Sequence, residues 1–407
     1  MIYLDFGGID LTYNPQQPYQ NGQPYYGQPA QQAPAQQYPA QQQPVQQPVQ
    51  QYPVQQPVRQ YPAQQQPIPQ YPVQQYAPQY LPPQLTPEEI RAQNYRRSLR
   101  RTVNGLGGLM LIFFGLQLIL GVITTVITSL AGNSITDQSS PLFFLENGAL
   151  SMIIFFVSAL IYCFIKKVNF GEVFPFHKIG AGYLFKLCVI GLAFSLASNY
   201  VVDLLNNTFS LFGIENAGGN VDAGNAPNVF LYFLTVAVLP AFVEEFAFRG
   251  VVMGVLRPYS EGLAILVSSA TFALMHGNFV QLPFTFCCGL VFAYIDIKAD
   301  SLLPSIIVHF FNNGLSVLAD ILVTYNIASE EVVNMSYGIV FAVLAVLAFI
   351  FLKGIINKKE NHYFDLKNGN DVIPFKTKVK TTASSPTLIT FAAIMTLYCI
   401  LVLFIGV

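Results

Sequence analysis

Nine apolar runs, each near the length needed to cross a bilayer, constrain this chain more than any other feature of it. They lie at about 103–131, 141–165, 181–206, 229–256, 261–277, 279–297, 301–324, 335–353 and 386–407. Hydrocarbon offers no water to backbone amides, so such runs must satisfy their own hydrogen bonds as helices. The expected fold class is therefore all-α, a polytopic transmembrane helix bundle of about 8–9 spans, integral to the membrane and in contact with its lipid. Only 10% of the residues are charged, and the charges are divided among loops, which leaves no basic face for nucleic acid. The five cysteines, Cys163, Cys188, Cys287, Cys288 and Cys399, all fall in apolar runs, without the spacing of a zinc site or a disulfide framework.

Residues 1–85 are a different material. Stretches such as QQPVQQYPVQQPVRQYPAQQQPIPQYPVQQY form an imperfect Gln/Pro/Tyr repeat, and between 11 and 85 the only charged side chain is Arg59. Too few aliphatic groups and too many prolines predict a disordered tail with polyproline II character. It is a spacer, or a docking segment for a partner that reads proline or tyrosine. The opening MIYLDFGGID lacks the basic and apolar regions of a signal peptide. A basic juxtamembrane helix is expected over 86–102, where Thr86 can cap, Pro87 suits the first position, and Glu88 and Glu89 favour the positive end of the dipole. The transmembrane domain follows over 103–353, then a basic cytoplasmic loop at 354–385 and a last span at 386–407.

Positive residues stay on the cytoplasmic side. With the tail inside, the inner loops hold Lys166, Lys167, Lys178, Arg257, Lys298, Lys353 and the lysines between 358 and 380, while the outer loops at 132–140, 207–228, 278 and 325–334 hold no Lys or Arg. The expected location is integral to a membrane, multi-pass, the plasma membrane if the chain is bacterial, with the tail in the cytoplasm.

One span breaks the apolar rule. LPAFVEEFAFRG puts Glu244, Glu245 and Arg249 between Val229 and Leu256. Three charges at mid-membrane cost on the order of 8 to 10 kcal/mol, while each Leu, Ile, Phe or Val returns about 0.3 to 0.6. The sixteen such residues of this run barely offset that, so the span must face other helices or a water-filled cavity. Glu245 and Arg249, four apart with the acid first, are in the order that favours a helix ion pair. Glu244, about 100° around the helix, is left to face another neighbour and is free to exchange a proton as a general base. Pro240 removes the backbone donor that would serve the Val236 carbonyl and loosens the helix just before the carboxylates.

Two of the four histidines also lie in apolar runs, in FALMHGNF and SIIVHFFNNG. Measured along each helix from its inner marker, Glu244 lies about 20 Å from Arg257, His276 about 22 Å from Glu261 and Asn313 about 20 Å from Asp300. His309 and Arg249 come one turn nearer the cytoplasm. His309 and Asn313, at i and i+4, share a face. Polar groups of three helices thus meet in one depth band, which favours a single site over scattered core residues.

The motifs EExxxR (Glu244, Glu245, Arg249), FxxxH (Phe272, His276) and HxxxN (His309, Asn313), in this order on successive helices, resemble those of the CPBP intramembrane proteases, the CAAX-protease or Abi family. The resemblance covers roughly 180–325. It implies an endopeptidase in which Glu244 is the base, His276 its partner, His309 and Asn313 the groups that polarise the scissile carbonyl, and Glu245 and Arg249 positioning residues. The implied substrate is a membrane-associated protein or peptide, prenylated or bacteriocin-like. Both metallo and glutamic mechanisms are ascribed to the family. Glu244, His276 and His309 offer a zinc set, but the HExxH spacing is absent and Asn is a poor zinc ligand, so a metal-free, cofactor-free mechanism is expected. The same polar cluster would also serve a transporter, though no second EExxxR copy forms an internal repeat, or a binding or immunity protein that does no chemistry.

Overall fold

The computed structural model describes residues 85–130, 140–211, 226–356, 365–369 and 371–405. The tail expected to be disordered lies, apart from Leu85, outside the described residues, as do parts of the predicted outer loops. Among the described residues the chain is helical, with one isolated bridge between Phe176 and Ser301. Apart from a single turn at Phe170–Val173, the helices are α1 Pro87–Leu130, α2 Pro141–Lys166, α3 Ala181–Ser210, α4 Pro227–Leu256, α5 Glu261–Met275, α6 Leu282–Ala299, α7 Leu303–Thr324, α8 Glu330–Ile356, α9 Phe375–Ala383 and α10 Pro386–Ile405.

Eight of these are long and apolar enough to span a membrane. The ninth apolar run, expected at 261–277, forms the 15-residue α5, about 22 Å long and short of the roughly 30 Å hydrocarbon core. The expected break at 102 is absent: juxtamembrane segment and first span are one 44-residue helix. Its start is a reciprocal capping box, in which Glu89 N donates to Thr86 Oγ1 at 3.2 Å and Thr86 N donates to Glu89 Oε2 at 2.8 Å. The bond from Thr86 N and a second from Thr86 Oγ1 to the same Oε2 at 3.0 Å hold the Glu89 carboxyl below its ordinary pKa.

The core lies where α4, α5 and α6 pack together, flanked by α1, α3, α7 and α10. Val251, Val252, Leu263, Ala264 and Ala293 are all buried there, against Met110 and Phe113 of α1 and Phe391 and Met395 of α10. Small residues let these helices approach closely. A Cβ at Gly289 of α6 would stand 2.9 Å from the Ser269 Cβ of α5, so the backbones meet only because the glycine is bare. Elsewhere large apolar side chains stay exposed, as in α8 with Met335, Ile339, Val343, Val346 and Phe349, the pattern of a lipid-facing helix.

The basic loops gather at one end. Arg257 bonds Glu261 at 3.4 Å and Asp300; Glu261 accepts from Lys367 N at 2.8 Å. The region expected as a loop, 354–385, contains α9, whose fully buried Lys378 donates to Tyr259 O at 3.0 Å and to Asn368 O. Burial pulls this ammonium below its ordinary pKa. The contacts fasten α9 and residues 365–369 over the turn joining α4 to α5, the two helices that carry Glu244 and His276.

Candidate active site

In α4 the backbone leaves the ordinary helix twice, in i→i+5 turns at Leu234–Val238 and Glu245–Met253, on either side of Pro240. Such wide turns are the expected response to a proline that cannot donate. They also shift the phase of the side chains, which places Glu245 inward and leaves Glu244 at a cavity. Glu245 and Arg249 are wholly buried and paired, with Arg249 Nη1 at 3.2 Å from Glu245 Oε1. The guanidinium lies over the Phe272 ring, 4.1 Å from its centroid, with Phe292 at 5.2 Å. The predicted ion pair is formed, between two aromatic faces that keep water away.

His309 comes from α7 to the same carboxylate, Nδ1 standing 2.7 Å from Glu245 Oε1. A carboxylate accepts, so this Nδ1 carries the proton and Nε2 is turned to Glu244, 3.9 Å from its Oε2. His276 ends α5 and is fixed in the same sense: its Nδ1 donates to Phe272 O at 2.8 Å, since a carbonyl can only accept. The following residue, Gly277, has φ +65°, where a Cβ would strike Tyr398, so the turn that stops α5 right after the histidine needs a glycine. Both imidazoles are thus held by Nδ1 and offer Nε2.

Asn313 answers the vacancy left by Pro240. Its Nδ2 donates to Val236 O at 2.9 Å, the carbonyl that the proline at i+4 cannot serve, and its Oδ1 accepts from Asn312 Nδ2 at 3.2 Å. One amide hydrogen of Asn313 has no partner among the described residues. Glu244, His276, His309 and Asn313 together line a cavity of about 250 Å³ whose other walls include Val236, Pro240, Phe284 and Phe292. Glu245 and Arg249 do not line it; they stand behind Glu244 and His309. The residues singled out from sequence are therefore brought together, four at the cavity and two in support.

Two residues of this region escaped the sequence reading. Asn312 lines the cavity and is 6% exposed, with Oδ1 unpartnered among the described residues. It lies about 60° from His309 and about 100° from Asn313 around the helix, and falls in sequence between the two positions that the HxxxN spacing picks out. Asp296 of α6 is 2% exposed and accepts from Ser305 N at 2.9 Å. Ser305 is in the first turn of α7, whose own cap position, Leu302, has no side-chain acceptor. Asp296 thus supplies the missing cap from a neighbouring helix, at the positive end of the helix that carries His309. As for a metal, no group of three or more His, Cys, Asp or Glu side chains is arranged to hold an ion among the described residues. The zinc set Glu244, His276 and His309 shares the cavity, but would have to draw together to reach the roughly 2 Å bonds of zinc.

Residues 226–315 match the model of a family described as type II CAAX prenyl endopeptidase Rce1-like. The match runs from α4 to the middle of α7 and contains Glu244, Glu245, Arg249, His276, His309 and Asn313. The chain is also similar to the membrane-embedded CAAX protease MroQ of Staphylococcus aureus (strain USA300), with 27% identity over 152 residues, 34% of this chain and 60% of that protein. It thus spans less than two thirds of the length of this curated relative. No solved structure matches.

Proposed function

We propose that this multi-pass membrane protein, whose residues 226–315 match the type II CAAX prenyl endopeptidase Rce1-like model, is an intramembrane endopeptidase acting on a membrane-associated protein or peptide. The observation that carries the reading is the shared cavity: Glu244, His276, His309 and Asn313 reach it from three helices, with the buried Glu245–Arg249 pair behind them.

In the proposed reaction a water molecule sits between the Glu244 carboxylate and His276 Nε2. Glu244 takes a proton as the water oxygen attacks the scissile carbonyl carbon. The oxyanion accepts from the second Nδ2 hydrogen of Asn313 and from His309, when that ring carries a proton on Nε2. Collapse breaks the C–N bond, and Glu244 returns its proton to the leaving amine. Glu245 holds the His309 ring in position, and Arg249 keeps Glu245 ionised in an apolar wall. No step requires a metal, and zinc held by Glu244, His276 and His309 is the competing arrangement. A prenylated or bacteriocin-like segment is the substrate suggested by kinship, and the N-terminal tail is assigned to the cytoplasm by the charge of the loops.

The test is cleavage of a peptide library by the full chain in nanodiscs, comparing the unaltered chain with Glu244→Ala and His276→Ala, each with and without chelator. Cleavage abolished in both variants and indifferent to chelator is the expected result. Loss of activity on chelation, restored by zinc, would overturn the metal-free mechanism; a folded chain that cleaves nothing would overturn the protease reading.

A further inference from the structure

Glu244 and His276 face more than one space. A second cavity, also about 250 Å³, is lined by the same Glu244, Phe272 and His276 that line the first. Its remaining walls come largely from α1 and α2, which lie outside the family-matched segment 226–315. Whatever this cavity binds therefore meets Glu244 and His276 but is recognised largely by side chains outside that segment.

The lining is of two kinds. Leu150, Phe155 and Met275 give an apolar floor, while Gln117, Asn147 and Ser151 bring neutral polar groups. Gln117 stands sixteen residues beyond Arg101, about 24 Å along α1, and so at the depth of Glu244. Its side chain is exposed and makes no hydrogen bond among the described residues. Asn147 is exposed too, and commits one amide hydrogen to Phe143 O at 2.7 Å, which leaves its other hydrogen and its oxygen. A side-chain amide open to hydrocarbon is costly unless something there pairs with it.

Amides both donate and accept, which suits a ligand that alternates donors and acceptors. An extended polypeptide main chain does so, and in a bilayer it must find partners for each N–H and C=O. An anionic ligand is disfavoured, because the lining holds no Lys or Arg and its one charged residue is Glu244. That argument applies equally to a lipid phosphate and to a free C-terminal carboxylate. The space admits a short stretch of extended chain and no folded element.

We propose that this cavity is a main-chain-binding subsite for an internal, uncharged, apolar segment of the substrate polypeptide, with Gln117 and Asn147 pairing with its backbone beside Glu244. The choice of substrate rests on the protease reading; the binding does not require turnover.

The experiment uses a capped, uncharged, fluorophore-labelled peptide of Leu, Ala and Val, and the full chain in nanodiscs. Binding is read by anisotropy in the Glu244→Gln chain, with and without Gln117→Leu plus Asn147→Leu; kcat and KM are then read with Glu244 intact. The paired substitution is expected to weaken binding and raise KM about tenfold, with kcat within about threefold. Leu150→Trp, which fills the floor and leaves the amides alone, should weaken binding as well, and a free C-terminal carboxylate placed at the apolar segment should bind less tightly than the capped peptide. Binding and KM indifferent to all three substitutions would overturn the subsite while leaving the protease reading intact. Binding that depends on Gln117 and Asn147 in a chain that cleaves nothing would uphold the subsite and sink the protease.

Discussion

Replacing Arg249 by Met removes the one cation from the buried end of the site while keeping most of the apolar stem. Glu245 is fully buried, and its Oε1 would then be served by His309 alone. Taking one partner from a buried ion pair costs about 3–5 kcal/mol, and the lost stacking on Phe272 at 4.1 Å adds about 1 kcal/mol. We expect a total near 4 kcal/mol, because the Met side chain recovers part of the packing. Glu245→Gln should cost about 3 kcal/mol by the same reasoning, since it strands the guanidinium between Phe272 and Phe292. The double variant removes both charges, so it should be about 3 kcal/mol more stable than the sum of the single losses predicts. The assay is reversible unfolding in mixed detergent micelles, run as a double-mutant cycle. In the proposed enzyme kcat should fall with KM little changed, since Glu245 orients His309 and touches no substrate. Strictly additive losses, or a single-variant loss below about 1 kcal/mol, would refute the view that this pair is desolvated and coupled.

Glu244→Gln and His276→Ala should each lower kcat by about 10²–10⁴ without loss of fold, checked by single-turnover cleavage alongside thermal unfolding. Asn313→Ala should weaken both structure and activity, because it strips Val236 O of its donor as well as removing the amide from the cavity; about 1–3 kcal/mol of stability is at stake, measured by the same unfolding assay. Asp296→Ala should destabilise by about 0.5–2 kcal/mol through the lost cap of α7, and Asp296→Asn, which retains an oxygen acceptor, should recover most of it.

Much of the site was legible because its signals are local. The Glu245–Arg249 pair follows from a four-residue spacing, and the histidines stood out because few other polar groups occupy apolar runs at that depth. Even the opening at Val236 could be read, since Pro240 has no hydrogen to give. What fills that opening could not be read: Asn313 comes from another helix, 77 residues away along the chain. Nor did spacing show that His309 bonds Glu245 and only faces Glu244, because the wide turns of α4 alter the rotation that an ideal helix would give. Asp296 was passed over for a similar reason, since it caps a helix other than its own.

By itself the sequence determined the material of this protein: helices, because hydrocarbon leaves a backbone no other way to satisfy itself, and a cluster of ionisable groups too costly to be accidental at that depth. Tertiary structure alone decided the pairing. Depth and periodicity fix where along a helix a side chain lies, but the partner it meets depends on how neighbouring helices are turned about their axes. That rotation is set by close contacts such as Gly289 on Ser269, by the fastening of α9 at the basic end, and by the irregular turns around Pro240.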